Sequence, residues 1–140
     1  MLKSYWIVKS EPEAYSWADL VRDKTTDWTG VRNYSARLSL SSMKCGDTVL
    51  FYESVTTKAI VGVASVDRTA FADTTTAETG WVAVGLRHER SLKNAVSLLQ
   101  LKADKELSNL RLIRQSRLSV MGISVGEYNR ILAMSENPID

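Results

Sequence analysis

Two β runs set almost back to back constrain this chain more than any other feature. Asp47 to Ser54 and Ala59 to Arg68 are joined by the polar turn around Thr56-Thr57-Lys58, and each is apolar on both faces for several residues. A strand wetted on one face alternates apolar and polar residues, whereas a strand covered on both does not. The pair therefore predicts central strands of a sheet that curls on itself. Tyr5-Trp6-Ile7-Val8 adds a buried strand dense in aromatic and β-branched residues, ended by Glu11-Pro12. Trp81 to His88 reads as a further strand and Arg117-Leu118-Ser119-Val120 as a short one. Phe71 to Gly80, rich in Thr, Asp and Ala, reads as a loop.

Helix starts are marked by capping boxes, in which a Ser side chain and the side chain three residues on exchange hydrogen bonds with backbone N–H groups. Ser16-Trp17-Ala18-Asp19, Ser97-Leu98-Leu99-Gln100 and Ser124-Val125-Gly126-Glu127 fit that pattern. The first helix runs to about Asp23, with Trp17, Leu20 and Val21 on its buried face. Asn33 caps a helix from Tyr34 to about Ser42, with Leu38 and Met43 facing inward. Five or six strands with several short helices define the α+β class, and a small closed or nearly closed barrel with helices at its rims is the simplest architecture. The 140 residues suit one domain, 1–140, with a single core.

Composition excludes more than it selects. Apolar residues make up 44% and charged residues 24%, ordinary for a globular chain. Net charge is +2, from 18 Lys and Arg against 16 Asp and Glu, whereas a protein relying on phosphate contacts alone is usually more basic. Nucleic-acid binding here should depend on a pocket more than on a charged face. One cysteine, Cys45, permits no internal disulfide and points to a cytoplasmic setting. No stretch reaches the roughly 18–20 apolar residues of a membrane span, so no membrane partner is expected. One His and one Cys, far apart, give no zinc spacing, and no phosphate or dinucleotide fingerprint occurs; neither metal nor cofactor is expected.

The segment Asp27-Trp28-Thr29-Gly30-Val31-Arg32-Asn33-Tyr34 is oddly equipped for a connection between helices. Flat rings beside planar hydrogen-bonding groups suit a flat polar ligand, a nucleobase above all. Polar groups at strand ends could join it at one barrel mouth: Lys9-Ser10-Glu11, Tyr52-Glu53-Ser54, and Arg117 with Ser119. Each has a plainer reading. Lys9 and Glu11 could be an exposed ion pair, Trp28 a packing plug, Tyr52 core, Asn33 a helix cap, and Arg32 and Arg117 partners in structural ion pairs.

Several motifs together resemble the EVE domains of the PUA-like superfamily. They are Tyr5-Trp6-Ile7-Val8-Lys9-Ser10-Glu11-Pro12, Trp28-x-Gly30-Val31-Arg32-Asn33-Tyr34-x-Ala36-Arg37, Met43-Lys44-x-Gly46-Asp47 leading into Leu50-Phe51-Tyr52, Ile60 to Ala64, and Arg114 to Val120. The resemblance spans nearly the whole chain. It implies an α+β, PUA-like five- or six-stranded pseudo-barrel with flanking short helices, and a non-catalytic module holding a modified base, foremost a modified cytosine in DNA. Carried over by motif, Lys9, Ser10 and Glu11 would line the pocket, Trp28 would stack on the base, and Asn33 and Tyr34 would add an amide and an aromatic. Tyr52, Ser54, Arg117 and Ser119 would complete it. Arg32 reads better as a clamp than as a reader. The chain departs from the family pattern in three places: Glu53 stands where His is usual, the Asp73–Gly80 loop is short, and Gly85 replaces a common Asp.

The expected partner is thus nucleic acid containing modified bases, DNA ahead of RNA, with an effector protein such as a nuclease as a further candidate. On this reading Trp28→Ala abolishes binding and leaves the fold intact. An alternative is a small amidohydrolase acting on modified nucleosides, as in the PUA-like ASCH branch, using Lys9, Glu11 and Tyr52 or Tyr34. A third is a peptide-binding interaction domain.

Overall fold

The computed structural model describes residues 3–137, and the outermost residues of the expected 1–140 domain lie outside the described residues. Its strands are β1 (Tyr5–Ser10), β2 (Thr25–Trp28), β3 (Thr48–Glu53), β4 (Ala59–Ala72), β5 (Val82–Ser97) and β6 (Val120–Ile123). Its helices are α1 (Trp17–Asp23), α2 (Tyr34–Ser42), α3 (Leu98–Ala103), α4 (Arg111–Arg114) and α5 (Val125–Glu136), with a 3₁₀ turn at Lys105–Leu107. The strands form one sheet in the order β2-β5-β4-β3-β1-β6, with β1 and β3 parallel and all other pairs antiparallel. β3 is buried along its first five residues, as its unbroken apolar run requires.

β4 and β5 run further than the sequence indicates. Phe71 and Ala72, expected in a loop, still pair with Ala83 and Val82, and β5 continues past His88 to Ser97. The register slips four times along this hairpin. Each slip inserts residues that bend the ladder and increase its twist, which is how so long a pair can wrap around a small core. One slip explains Gly85. A Cβ there would lie 2.5 Å from Asp67 Oδ1 and 2.8 Å from Arg68 Cβ, so the bulged partner strand occupies the space a side chain would need.

The sheet does not close, because its edges, β2 and β6, do not pair. The architecture is α+β, a six-stranded PUA-like pseudo-barrel with short flanking helices. β2 is new relative to the sequence reading, which places no strand between the first helix and Trp28. Thr25-Thr26-Asp27-Trp28 is short and largely polar, and only pairing with β5 makes it a strand. β6 begins at Val120 rather than Arg117, since α4 and a turn occupy the preceding residues.

All three capping boxes form. Two inward assignments do not hold: Val21 is 42% exposed and Leu38 is 65% exposed. α1 buries only the i, i+3 ridge of Trp17 and Leu20, and α2 buries Ala36, Ser39 and Leu40, a stripe that leaves Leu38 on the opposite side. Met43 does face inward. The Trp17 indole lies where a Gly62 Cβ would be, and its Nε1 donates to Ser91 Oγ at 2.8 Å. At the end of the sheet where β1 and β3 begin, buried Asp47 accepts hydrogen bonds from Trp6 Nε1 (3.0 Å) and from the Ser4 (3.1 Å) and Lys44 (2.9 Å) amides.

Candidate functional site

The other end of the sheet holds a pocket of about 500 Å3, within the usual range for small-molecule sites. It lies at the seam where the barrel fails to close. Thr26, Asp27 and Trp28 come from edge strand β2, Lys9, Ser10 and Glu11 from the end of β1, and Ser119 from the residue before the other edge, β6. The Thr29–Asn33 segment, including Arg32, supplies another wall.

Trp28 is only 8% exposed. Its ring meets Phe51 edge-on at 5.6 Å and Tyr15 edge-on at 6.3 Å, so it is core and pocket wall at once. This corrects the expectation that Trp28→Ala leaves the fold intact: removing a buried Trp typically costs about 3–5 kcal/mol. Tyr15, Thr26 and Asp27 also line the pocket, and the sequence reading missed all three as site residues. Tyr15 is placed by the turn after Pro12, where its amide and that of Ala14 both donate to the Glu11 carbonyl at 2.9 Å. Its hydroxyl donates to Asp23 at 2.9 Å, and burial first, then the Asp23 carboxylate, pushes the phenol up. Lys9 Nζ donates to the Ser116 carbonyl at 2.6 Å and lies 6.0 Å from the centre of the Tyr52 ring. Burial pushes its ammonium below the usual lysine range. Ser10 Oγ donates to the Tyr15 carbonyl at 2.5 Å, tying the end of β1 to the turn before α1.

A buried aspartate that the sequence reading left in a plain loop holds the Thr29–Asn33 wall. Asp73, 4% exposed, accepts from the Gly30 amide and from Arg32 Nη1, both at 2.9 Å. It also accepts from the Thr75 amide (2.8 Å) and hydroxyl (2.6 Å). Burial alone would raise its pKa, but the Thr75 hydroxyl, the Gly30 and Thr75 amides and Arg32 outweigh that and hold the carboxyl far below the carboxylate range. Gly30 supplies the positive φ (81°) at which the chain turns toward Asp73. Arg32 Nη2 adds a bond to Thr75 Oγ1 at 3.2 Å, so Arg32 is a clamp that also lines the pocket. Asn33 caps α2, its Oδ1 accepting from the Ala36 amide at 3.0 Å.

Of the residues carried over by motif, the structure gathers Lys9, Ser10, Glu11, Trp28, Arg32, Asn33 and Ser119 at the pocket and sets four elsewhere. Tyr34 is 67% exposed and packs against Trp81 (5.2 Å) and Arg37 (4.8 Å) on the outer face. Tyr52 is 3% exposed, covered within the sheet rather than lining the cavity. Ser54 bonds to the Ser10 carbonyl, through its amide at 2.9 Å and its hydroxyl at 3.3 Å. Arg117 is exposed on a neighbouring groove, because the chain turns before β6 starts. Glu53 points away from the pocket: its carboxylate accepts from the Trp17 amide (2.7 Å) and Thr57 (2.9 Å), securing the start of α1. Among the described residues, no group of three or more His, Cys, Asp or Glu could hold a metal, and no helix is long and apolar enough to cross a membrane.

The unclosed sheet, the helices at its rims and the aromatic pocket at the seam define a PUA-like domain. The chain belongs to the EVE domain family, whose model matches residues 4–134. Human thymocyte nuclear protein 1 is 30% identical over 96% of this chain and 75% of its own length. Its crystal structure in complex with DNA containing 5-methylcytosine matches with a TM-score of 0.92 at 28% identity, covering 98% of this chain and 100% of that one. A Rhodopseudomonas palustris protein matches with a TM-score of 0.90 at 37% identity, covering 98% and 96%. An ASCH protein from Zymomonas mobilis, at 0.60 and 12% over 94% and 99%, shares the fold alone.

Proposed function

We propose that this domain is a non-catalytic reader that holds a modified base, foremost a modified cytosine in DNA, in the seam pocket. The observation that carries the proposal is the pocket itself: Trp28 and Tyr15 form aromatic walls beside Lys9, Ser10, Glu11 and Asp27. Aromatic contact with a base is worth roughly 1–3 kcal/mol whatever its identity. Selectivity then comes from the polar rim, where a carboxylate such as Asp27 or Glu11 can accept from the cytosine amino group. The human relative solved with 5-methylcytosine DNA supports the same ligand class. RNA as carrier of the base, a cytoplasmic setting and an effector such as a nuclease belong to the proposal as further elements.

Extruding a base from a duplex costs a few kcal/mol, so single-stranded or mismatched sites should bind more tightly than paired ones. The test is a titration of labelled oligonucleotides, modified and unmodified, in DNA and RNA. Preference for modified cytosine is expected, and equal affinity for every base would sink the proposal. Trp28→Phe keeps a core aromatic and should weaken binding about tenfold, a loss of about 1.4 kcal/mol, with thermal stability less affected.

The hydrolase alternative has one observation in its favour, the lowered Lys9 ammonium. Against it, that ammonium is engaged by the Ser116 carbonyl, and neither Tyr34 nor Tyr52 lines the pocket. Turnover of acylated nucleosides that disappears in Lys9→Ala would reverse this preference.

A further inference from the structure

We propose that the groove carrying Arg114 and Arg117 seats the phosphodiester backbone of the strand whose base enters the pocket. The inference rests on the base-reader proposal for the identity of the strand, and on separate geometry for the groove. The chain as a whole is nearly neutral, but its charges are not evenly spread. From Trp28 to Gly46 there is no acidic residue, and Arg32, Arg37 and Lys44 fall within that stretch. From Leu107 to Gly126 there is again none, and Arg111, Arg114 and Arg117 recur at every third position.

The fold joins these two stretches beside the pocket. Arg111 Nη2 donates to Ser35 Oγ at 3.4 Å, linking α4 to the first turn of α2. Between them lies a groove of about 420 Å3 whose lining includes Asn33, Ser35, Arg114, Gln115 and Arg117 and no carboxylate. Asn33 lines both this groove and the base pocket, so the two cavities lie side by side. Lys9, which lines the pocket, donates through its ammonium to the carbonyl of Ser116, which lines the groove.

Arg117 is exposed and makes no hydrogen bond or ion pair among the described residues. Arg114 engages the Ser108 carbonyl through Nε at 2.7 Å, using one of its five N–H donors. Arginines bordered by Ser and Gln side chains, with no acid to neutralise them, match a run of phosphates: the guanidinium pairs with phosphate oxygens and the neutral side chains add hydrogen bonds. Phosphate contacts position a strand without reading it, which is the complement of a pocket that reads one base. Arg117 therefore serves the site from the adjoining groove, which explains its place outside the pocket.

The test is fluorescence anisotropy with short labelled single-stranded DNA, with and without one 5-methylcytosine, over a range of salt concentrations. It compares the parent chain, the double variant Arg114→Gln/Arg117→Gln and the charge-matched double control Lys93→Gln/Lys102→Gln, at two exposed lysines outside the groove. The double variant should lower affinity for both strands by the same factor and flatten the slope of log K against log salt by about 0.7 per lost contact. The control should leave both unchanged. An unchanged slope in the double variant, or an equal drop in the control, overturns the phosphate groove. Loss of methyl preference with the slope retained also overturns it, since the arginines would then act on the base. A parent chain without base preference whose slope still flattens in the double variant supports the groove while removing the base-reader proposal.

Discussion

The two ends of the sheet each hold a buried aspartate, and the contrast between them separates architecture from site. Asp47, where β1 and β3 begin, accepts only from neutral donors, the Trp6 indole and two backbone amides. Asp73, at the pocket end, accepts from two backbone amides, a threonine hydroxyl and the Arg32 guanidinium. Both carboxyls are held below the usual range: burial would raise them, and the N–H and O–H donors prevail. The difference lies in what each donor set belongs to. Asp47 pins residues of the core to one another. Asp73 pins a segment that lines the pocket, so its hydrogen bonds, together with the buried Val31 side chain, hold that wall in place.

The largest expected effect is at the Asp47 end. Asp47→Ala leaves the Trp6 indole N–H and two amides unpaired, and should destabilise the whole domain by about 3 kcal/mol in urea unfolding. Binding by the remaining folded fraction should keep its base preference. Asp73→Ala should cost less stability, about 2 kcal/mol, because Arg32 is one-third exposed and can turn to water. It should nonetheless remove most of the affinity for modified oligonucleotides. Equal binding losses in the two variants would dissolve the contrast.

Acid unfolding sharpens it further. A carboxyl depressed in the folded state contributes stability that is complete above the unfolded value, about pH 4, and that fades as pH falls below it. Both Asp73→Asn and Asp47→Asn should therefore have a shallower acid-side loss of stability than the parent chain. Only Asp73→Asn should also change how binding falls in the same pH range. The smallest effect belongs to Arg32→Lys, which keeps the charge but not the forked contact with Asp73 and Thr75. Stability should change by under about 1 kcal/mol, with a measurable loss of affinity in the anisotropy titration. No loss would make Arg32 a bystander.

Much of the frame was legible because it follows from local rules. The doubly apolar runs of β3 and early β4, the capping boxes at Ser16, Ser97 and Ser124 and the Asn33 cap each depend on residues a few positions apart. Strand alternation places Glu53 on the opposite side from Tyr52, and its carboxylate reaches Trp17 and Thr57. The misses share a cause. Thr25–Trp28 lacks the composition of a strand and becomes one by pairing with residues nearly sixty positions later. Leu38 is apolar enough for a core, but it lies on the side of α2 turned to solvent and is 65% exposed. Asp73 sits in a stretch of Thr, Asp and Ala with no local hint that it will be buried against Gly30 and Arg32.

The class of fold, the starts of α1, α2, α3 and α5 and seven of the residues that meet at the pocket follow from the chain's own hydrophobic pattern, capping chemistry and family motif. Long-range packing settles which of two aromatics, Trp28 or Tyr34, faces the pocket, that Tyr15 and Asp27 join it, and that Arg117 stands in the next groove. Those outcomes depend on where an unclosed sheet leaves its seam. The seam is set by bulges and by a strand pairing between distant segments, interactions that no local stretch of the chain encodes.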